Sequence, residues 1–186
     1  VQVGDAANKV ASDSPGDLKL AAVLLDIARM LRTRSTNEAA GAILELLVES
    51  VGCDAASLFQ QRGNRMFLLA DQGCSDCFRK TVEGGTPITG GYAQADAVRL
   101  AEPIQIASTS TVGNRYPDSA AIMAHDGFRT CLFLPIITEV DTWCLGLVSR
   151  SSRPFGATAT TFCSAVASLL TLQTAQIGRP TPIDQS

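Results

Sequence analysis

The stretch Phe128 to Arg150, FRTCLFLPIITEVDTWCLGLVSR, decides how this chain folds. Its first arm is Thr130 to Ile137 and its second is Thr142 to Ser149, with the short polar break Thr138-Glu139-Val140-Asp141 between them. Two apolar runs of strand length, rich in aromatic and β-branched residues, predict an antiparallel hairpin across such a break. Antiparallel sheets commonly leave one face in water, and their strands then alternate apolar with polar residues. Alternation is weak in both arms, so both faces of this hairpin are expected to be covered. The layer arrangement that follows is a central sheet with helices on one face and other material on the second. Pro135 lacks a ladder donor and belongs at an edge position or a bulge.

The totals narrow what surrounds the hairpin. At 186 residues the chain can build one domain with a substantial core. A net charge of −3 and no dense run of Lys or Arg argue against a nucleic-acid surface. The apolar runs are too short for a bilayer span. Residues 1–16 read as a disordered leader without a secretory core, 17–178 as one domain, and 179–186 as a flexible tail. Val1 opens the chain, which reads as a fragment, a processed form or a trimmed chain. Most of the six cysteines sit inside apolar patterns, where a free thiol acts as a small hydrophobe; this predicts a reducing, cytoplasmic setting.

Upstream of the hairpin, Asp17 to Leu31 carries Leu20, Val23, Leu24, Ile27 and Leu31 at helical spacing, with Asp17 as the expected N-cap. Thr36 to Val51 predicts a second helix, capped by Ser35 or Thr36 and stopped by Gly52. Asp54 to Gln61 and Arg65 to Asp71 predict a strand pair about the turn Arg62-Gly63-Asn64. Gly73 to Thr81 predicts a short helix bearing the Cys74-Ser75-Asp76-Cys77 motif. Further expectations are a helix over Gly91 to Leu100, a strand over Pro103 to Ala107, a polar loop over Ser108 to Asn114 and a helix over Ser119 to His125. A long terminal helix over Thr158 to Ile177 follows, with Phe162, Val166, Leu169, Leu170 and Leu172 on its apolar side. The whole is an α+β domain.

In this order the pieces resemble the GAF domain family over roughly Leu18 to Ile177. The resemblance rests on the helix pair leading into VGCDAASLF, the GG-Y-A middle before EPIQIAS, the RYPDSAA…DGFRTCLFLPI run and CLGLVSRSSRPF. It implies a central antiparallel sheet with the terminal helices on one face. Those helices often extend into a dimer bundle, and loops and short helices enclose a small-molecule pocket on the other face. The implied function is a regulatory sensor that signals through its terminal helices to an output domain or partner. A cysteine-based redox sensor or a free methionine sulfoxide reductase-like enzyme is one alternative. A ligand-free dimerisation module is another.

Specialised branches of the family can be compared residue by residue. The bilin-attaching Cys-His pair would fall near Asp118 and Ser119, neither of them a cysteine. The Asn-Lys-Phe-Asp signature of the mammalian cyclic-nucleotide branch does not occur. No cofactor, haem or covalent chromophore is therefore expected, and no metal. Cys74 and Cys77 are the one closely spaced thiol pair, and a helix start there would favour a thiolate. On the segments that would enclose the pocket stand Tyr92, Ser108, Thr109, Thr111, Asn114, Arg115, Tyr116 and Asp118. Cys131, Phe133 and Cys144 are expected on the pocket wall from the hairpin. The expected partners are a small-molecule ligand and a second copy of the chain, with neither nucleic acid nor membrane.

Overall fold

A computed structural model describes residues 15–107 and 114–177. Ser108, Thr109 and Thr111, the residues before Pro15 and the tail from 178 lie outside the described residues. Two helices open the described chain, α1 (Pro15–Thr33) and α2 (Thr36–Val51). The hairpin β1 (Ala55–Arg62) and β2 (Arg65–Gln72) follows, then α3 (Asp76–Val82) and the two-residue β3 (Thr86–Pro87). Next come α4 (Ala93–Leu100), β4 (Ile104–Ile106) and α5 (Pro117–Asp126). The quoted stretch supplies β5 (Thr130–Ile137) and β6 (Thr142–Ser149), and α6 (Ala157–Ile177) closes the domain.

The six strands form one antiparallel sheet in the order β3-β2-β1-β6-β5-β4. The decisive hairpin pairs Thr130 with Ser149 through Ile137 with Thr142, and β6 then pairs with β1 at the sheet centre. Pro135 sits where the sequence required. The short β4 reaches only Cys131 to Phe133, so β5 is an edge on that side by Pro135.

Alternate residues of the same strands serve two cores. Toward α1, α2 and α6 point Leu58, Leu132, Leu134, Ile136, Leu145 and Leu147, meeting Ile27, Ile43, Leu44, Leu47, Val166 and Leu170. Each such side chain contributes roughly 1.5–3 kcal/mol by leaving water. Toward the other face point Phe59, Cys131, Phe133 and Cys144, met by Val82, Ala97, Val98 and Met123 from α3, α4 and α5. Both faces are covered, which is why the arms lack polar alternation.

Several local expectations shift. The described helix α1 already includes Pro15, so Asp17 lies inside the helix instead of capping it. Helix α2 starts at a capping box, with Ser35 Oγ accepting from Glu38 N and the Glu38 carboxylate accepting from Ser35 N, and stops at Gly52 in the left-handed region. The short helix after β2 starts at Asp76 with Ser75 as N-cap, so Cys74 precedes the helix. The Ser75 side chain accepts from Phe78 N and sets this start, while Gly73 two residues earlier turns the chain with a left-handed φ of +77°, where a Cβ would collide with the Asp54 carbonyl. On α6, Leu172 is 61% exposed instead of joining the apolar side, where Cys163 and Ala167 take part. The strand β3 has no counterpart in the sequence reading, since two residues carry no periodicity.

Candidate functional site

The face away from the terminal helices holds a small cleft of about 40 Å³. Its floor is the sheet: Ser57 and Phe59 on β1, Phe133 on β5 and Val148 on β6. Its cover is Phe78 on α3, Gln94 on α4, Ser119, Ile122 and Met123 on α5, and Phe128 just before β5, with Cys74 at one side. A buried water needs about 10–15 Å³ of such room, so the cleft holds a few water-sized groups, and side chains fill the rest of the face. The enclosed pocket that the resemblance implies is thus mostly closed by aromatic and aliphatic side chains, Phe78, Ile122, Met123 and Phe128 among them.

Gly146 shapes the floor. It lies opposite Phe133 on β5 and Ser57 on β1. A Cβ there would stand 2.7 Å from the Phe133 ring and 2.9 Å from Ser57 Oγ, so only glycine lets that ring lie over the sheet. Phe78 meets Phe59 edge to face, with centroids 6.2 Å apart and planes at 77°. Polar groups are few. Ser119 Oγ accepts from Ala93 N at 2.9 Å, which leaves its hydroxyl proton free to donate. The Gln94 amide makes one long contact, Nε2 donating to Thr86 Oγ1 at 3.4 Å.

A charged rim joins the cover to the strand ends. Asp126 at the end of α5 accepts from the α3 cap Ser75 at 2.9 Å and lies 2.7 Å from His125 Nδ1. Burial opposes its ionisation, but the hydrogen bonds from His125 and Ser75 outweigh that and hold its carboxyl below the usual range. Arg150 stacks over Phe128, 4.9 Å from the ring centroid, and its Nε donates to the Asp126 carbonyl at 3.2 Å. Its Nη1 lies 3.0 Å from Asp54 Oδ1. Asp54 also accepts from Arg150 N and from Ser149 Oγ, and with its arginine partner these lower its pKa despite partial burial.

The expected site residues fall into three groups. Phe133 lines the cleft. Tyr92, Arg115, Tyr116 and Asp118 gather where α4 meets α5, outside the cleft. Arg115 lies 5.2 Å over the Tyr116 ring and its Nη2 is 3.9 Å from Asp96 Oδ2. Tyr116 is buried, with no well-formed hydrogen bond to its hydroxyl, while Asn114 and Asp118 are exposed. Cys131 and Cys144 are sealed in the core beside the cleft without lining it, and burial pushes both thiols up, Cys131 to about 12. The third group, Ser108 and Thr109, lies outside the described residues.

A helix start would favour a thiolate, but at Cys74 the surroundings act in the opposite direction. Burial, then the Asp71 and Asp126 charges, raise its pKa to about 12. Placed ahead of the Ser75 cap, with Sγ 3.9 Å from the Ala56 carbonyl, it gains little from the helix terminus. Cys77 is exposed on the opposite side of that cap. Among the described residues no three His, Cys, Asp or Glu side chains converge as a metal site.

Sequence reasoning missed Ala56, Ser57, Phe59, Phe78, Gln94, Ser119, Ile122, Met123, Phe128 and Val148. Two signals pointed there. Ser57 is a polar residue on the same strand face as Phe59, and Ser119, Ile122 and Met123 share one helical face at i, i+3 and i+4.

The sequence profile of the GAF domain matches residues 35–173. The chain belongs to the GAF domain family. The GAF domain of a phosphoenolpyruvate-protein phosphotransferase from Coxiella burnetii superposes with a TM-score of 0.72 at 21% identity, covering 88% of this chain and 96% of that one. The corresponding Acinetobacter domain gives 0.71 at 15% identity, covering 92% and 100%. A free methionine-R-sulfoxide reductase from Neisseria meningitidis, solved with its substrate, gives 0.68 at 15% identity, covering 91% and 96%. A search of curated proteins found no match. The GAF fold is a sensory and regulatory one, recurring in sensor kinases and phytochromes. No helix among the described residues is long and apolar enough to cross a membrane.

Proposed function

We propose that this GAF domain is a regulatory sensor that binds a small molecule in the cleft and passes the event to its terminal helices. One observation carries the reading. Phe128 lines the cleft, Arg150 stacks on its ring, and Arg150 is bonded to Asp54, which joins α2 to β1. Displacing Phe128 therefore moves a group tied both to the end of α2 and to the segment leading into α6. The exposed Leu18, Leu25 and Leu172 on α1 and α6 fit a second copy of the chain or an output segment. Six unpaired cysteines fit a reducing, cytoplasmic compartment, and the net negative charge fits a partner other than nucleic acid.

A catalytic reading draws on the reductase that shares the fold. The thiol at this cleft weighs against it, because a pKa of about 12 leaves little thiolate at neutral pH. Native mass spectrometry of freshly purified protein tests the proposal. A co-purifying small mass that is lost when Phe133→Ala alters the floor supports the sensor. A persistent adduct on Cys74 or Cys77 favours the redox alternative, and a bare dimer favours the dimerisation module.

A further inference from the structure

We infer that the cleft selects an uncharged, largely apolar ligand bearing one neutral hydrogen-bonding group, such as a carboxamide or an alcohol; this rests on the sensor reading above. None of the lining residues is charged. Four are phenylalanines, and the polar contributions come from Ser57, Gln94 and Ser119. An ion placed here would lose its water against aromatic walls with no counter-charge facing it.

The nearby charges are already engaged outside the cleft. Asp71 pairs with Arg79 at 2.8 Å, Asp54 with Arg150 at 3.0 Å, and Asp126 with Ser75 and His125. Recruiting any of them to a charged ligand would break these bonds. The neutral polar groups are suited to a neutral partner. The Ser119 proton is free to donate, and the Gln94 amide, held by one long bond, offers both a donor and an acceptor. A carboxamide or alcohol matches that set, while its hydrocarbon part meets Phe59, Phe133 and Met123. The present volume admits only a few atoms, so a larger ligand requires Phe78 and Met123 to swing aside.

The test uses the full chain labelled with 13C at isoleucine and methionine methyl groups, titrated with benzamide, benzoate and benzylammonium at neutral pH. These probes share a ring and differ in charge. Benzamide should shift the Ile122 and Met123 signals saturably, with the two ions at least about tenfold weaker because each must be desolvated. Gln94→Leu should weaken benzamide by roughly tenfold, the loss of one or two hydrogen bonds, and leave toluene binding at the same signals unchanged. If an ion binds as well as benzamide, the neutral selectivity is overturned while the cleft remains a binding site. If neither benzamide, the ions nor toluene shifts those signals, the sensor reading falls and this inference falls with it.

Discussion

The two faces of the sheet are built from the same strands and differ in what covers them. On one face the three long helices α1, α2 and α6 lay Leu, Ile and Val against Leu132, Leu134, Leu145 and Leu147. On the other, α3, α4 and α5 have 7, 8 and 10 residues, and they meet a floor of Phe, Cys, Ser and Gly. Long helices present continuous apolar stripes and pack to high density. Short helices joined by irregular segments meet the sheet at separate points, and the small cleft is what remains between them. The contrast separates a densely packed face that holds the fold from one that keeps a small cleft.

The largest effect should come from putting a charge into the helix-covered face. Val166 has no exposure, and Val166→Asp should cost at least about 3 kcal/mol or unfold the domain, since the carboxylate would have no partner. Unchanged urea unfolding of that variant would erase the distinction between the faces. Next, Gly146→Ala should cost about 1–3 kcal/mol through overpacking, because its Cβ drives the Phe133 ring off the floor. Chemical shifts of the Phe133 ring check it, and an unmoved ring would show that the floor yields elsewhere.

A smaller effect is expected at the cover alone. Ser75→Ala removes the α3 cap and the bond to Asp126, for a loss of about 1 kcal/mol. Hydrogen exchange should quicken in α3 while α2 and α6 stay protected; uniform loss of protection would mean that the two faces unfold as one unit. The smallest effect concerns acid. Backbone donation from Arg150 first, with Ser149 and the Arg150 side chain, depresses the Asp54 pKa in the folded state. Its stabilisation is present above the unfolded value near about 4 and is lost as pH falls through the lower folded value. Asp54→Asn should flatten the acid limb of the stability curve. An acid limb as steep as in the parent would remove this carboxylate from the link between cleft and helices.

Much of the fold was readable because it rests on local rules. Apolar spacing marked α1, α2 and α6, the sequence around Ser35 marked a cap, and the unalternating arms of β5 and β6 required cover on both faces. The site was much less readable. Tyr92, Arg115, Tyr116 and Asp118 lie on the expected segments, yet none of them lines the cleft. The lining depends on which side each short helix turns inward, and a helix of two or three turns carries too few residues to fix its rotation by periodicity.

The sequence by itself determined an α+β domain with a doubly covered antiparallel sheet, because strands buried on both faces lose the two-residue polar alternation and helix burial is written in a 3.6-residue repeat. It also determined the membership in the GAF family that the match over 35–173 bears out. Only the tertiary structure decided that α3 would start at Asp76, after Cys74, that burial would raise that thiol, and that Phe128, Gln94 and Ser119 would face one cleft. Those outcomes depend on atoms far apart in the chain, such as the Asp54 carbonyl that excludes a Cβ at position 73. Local spacing carries no record of such contacts.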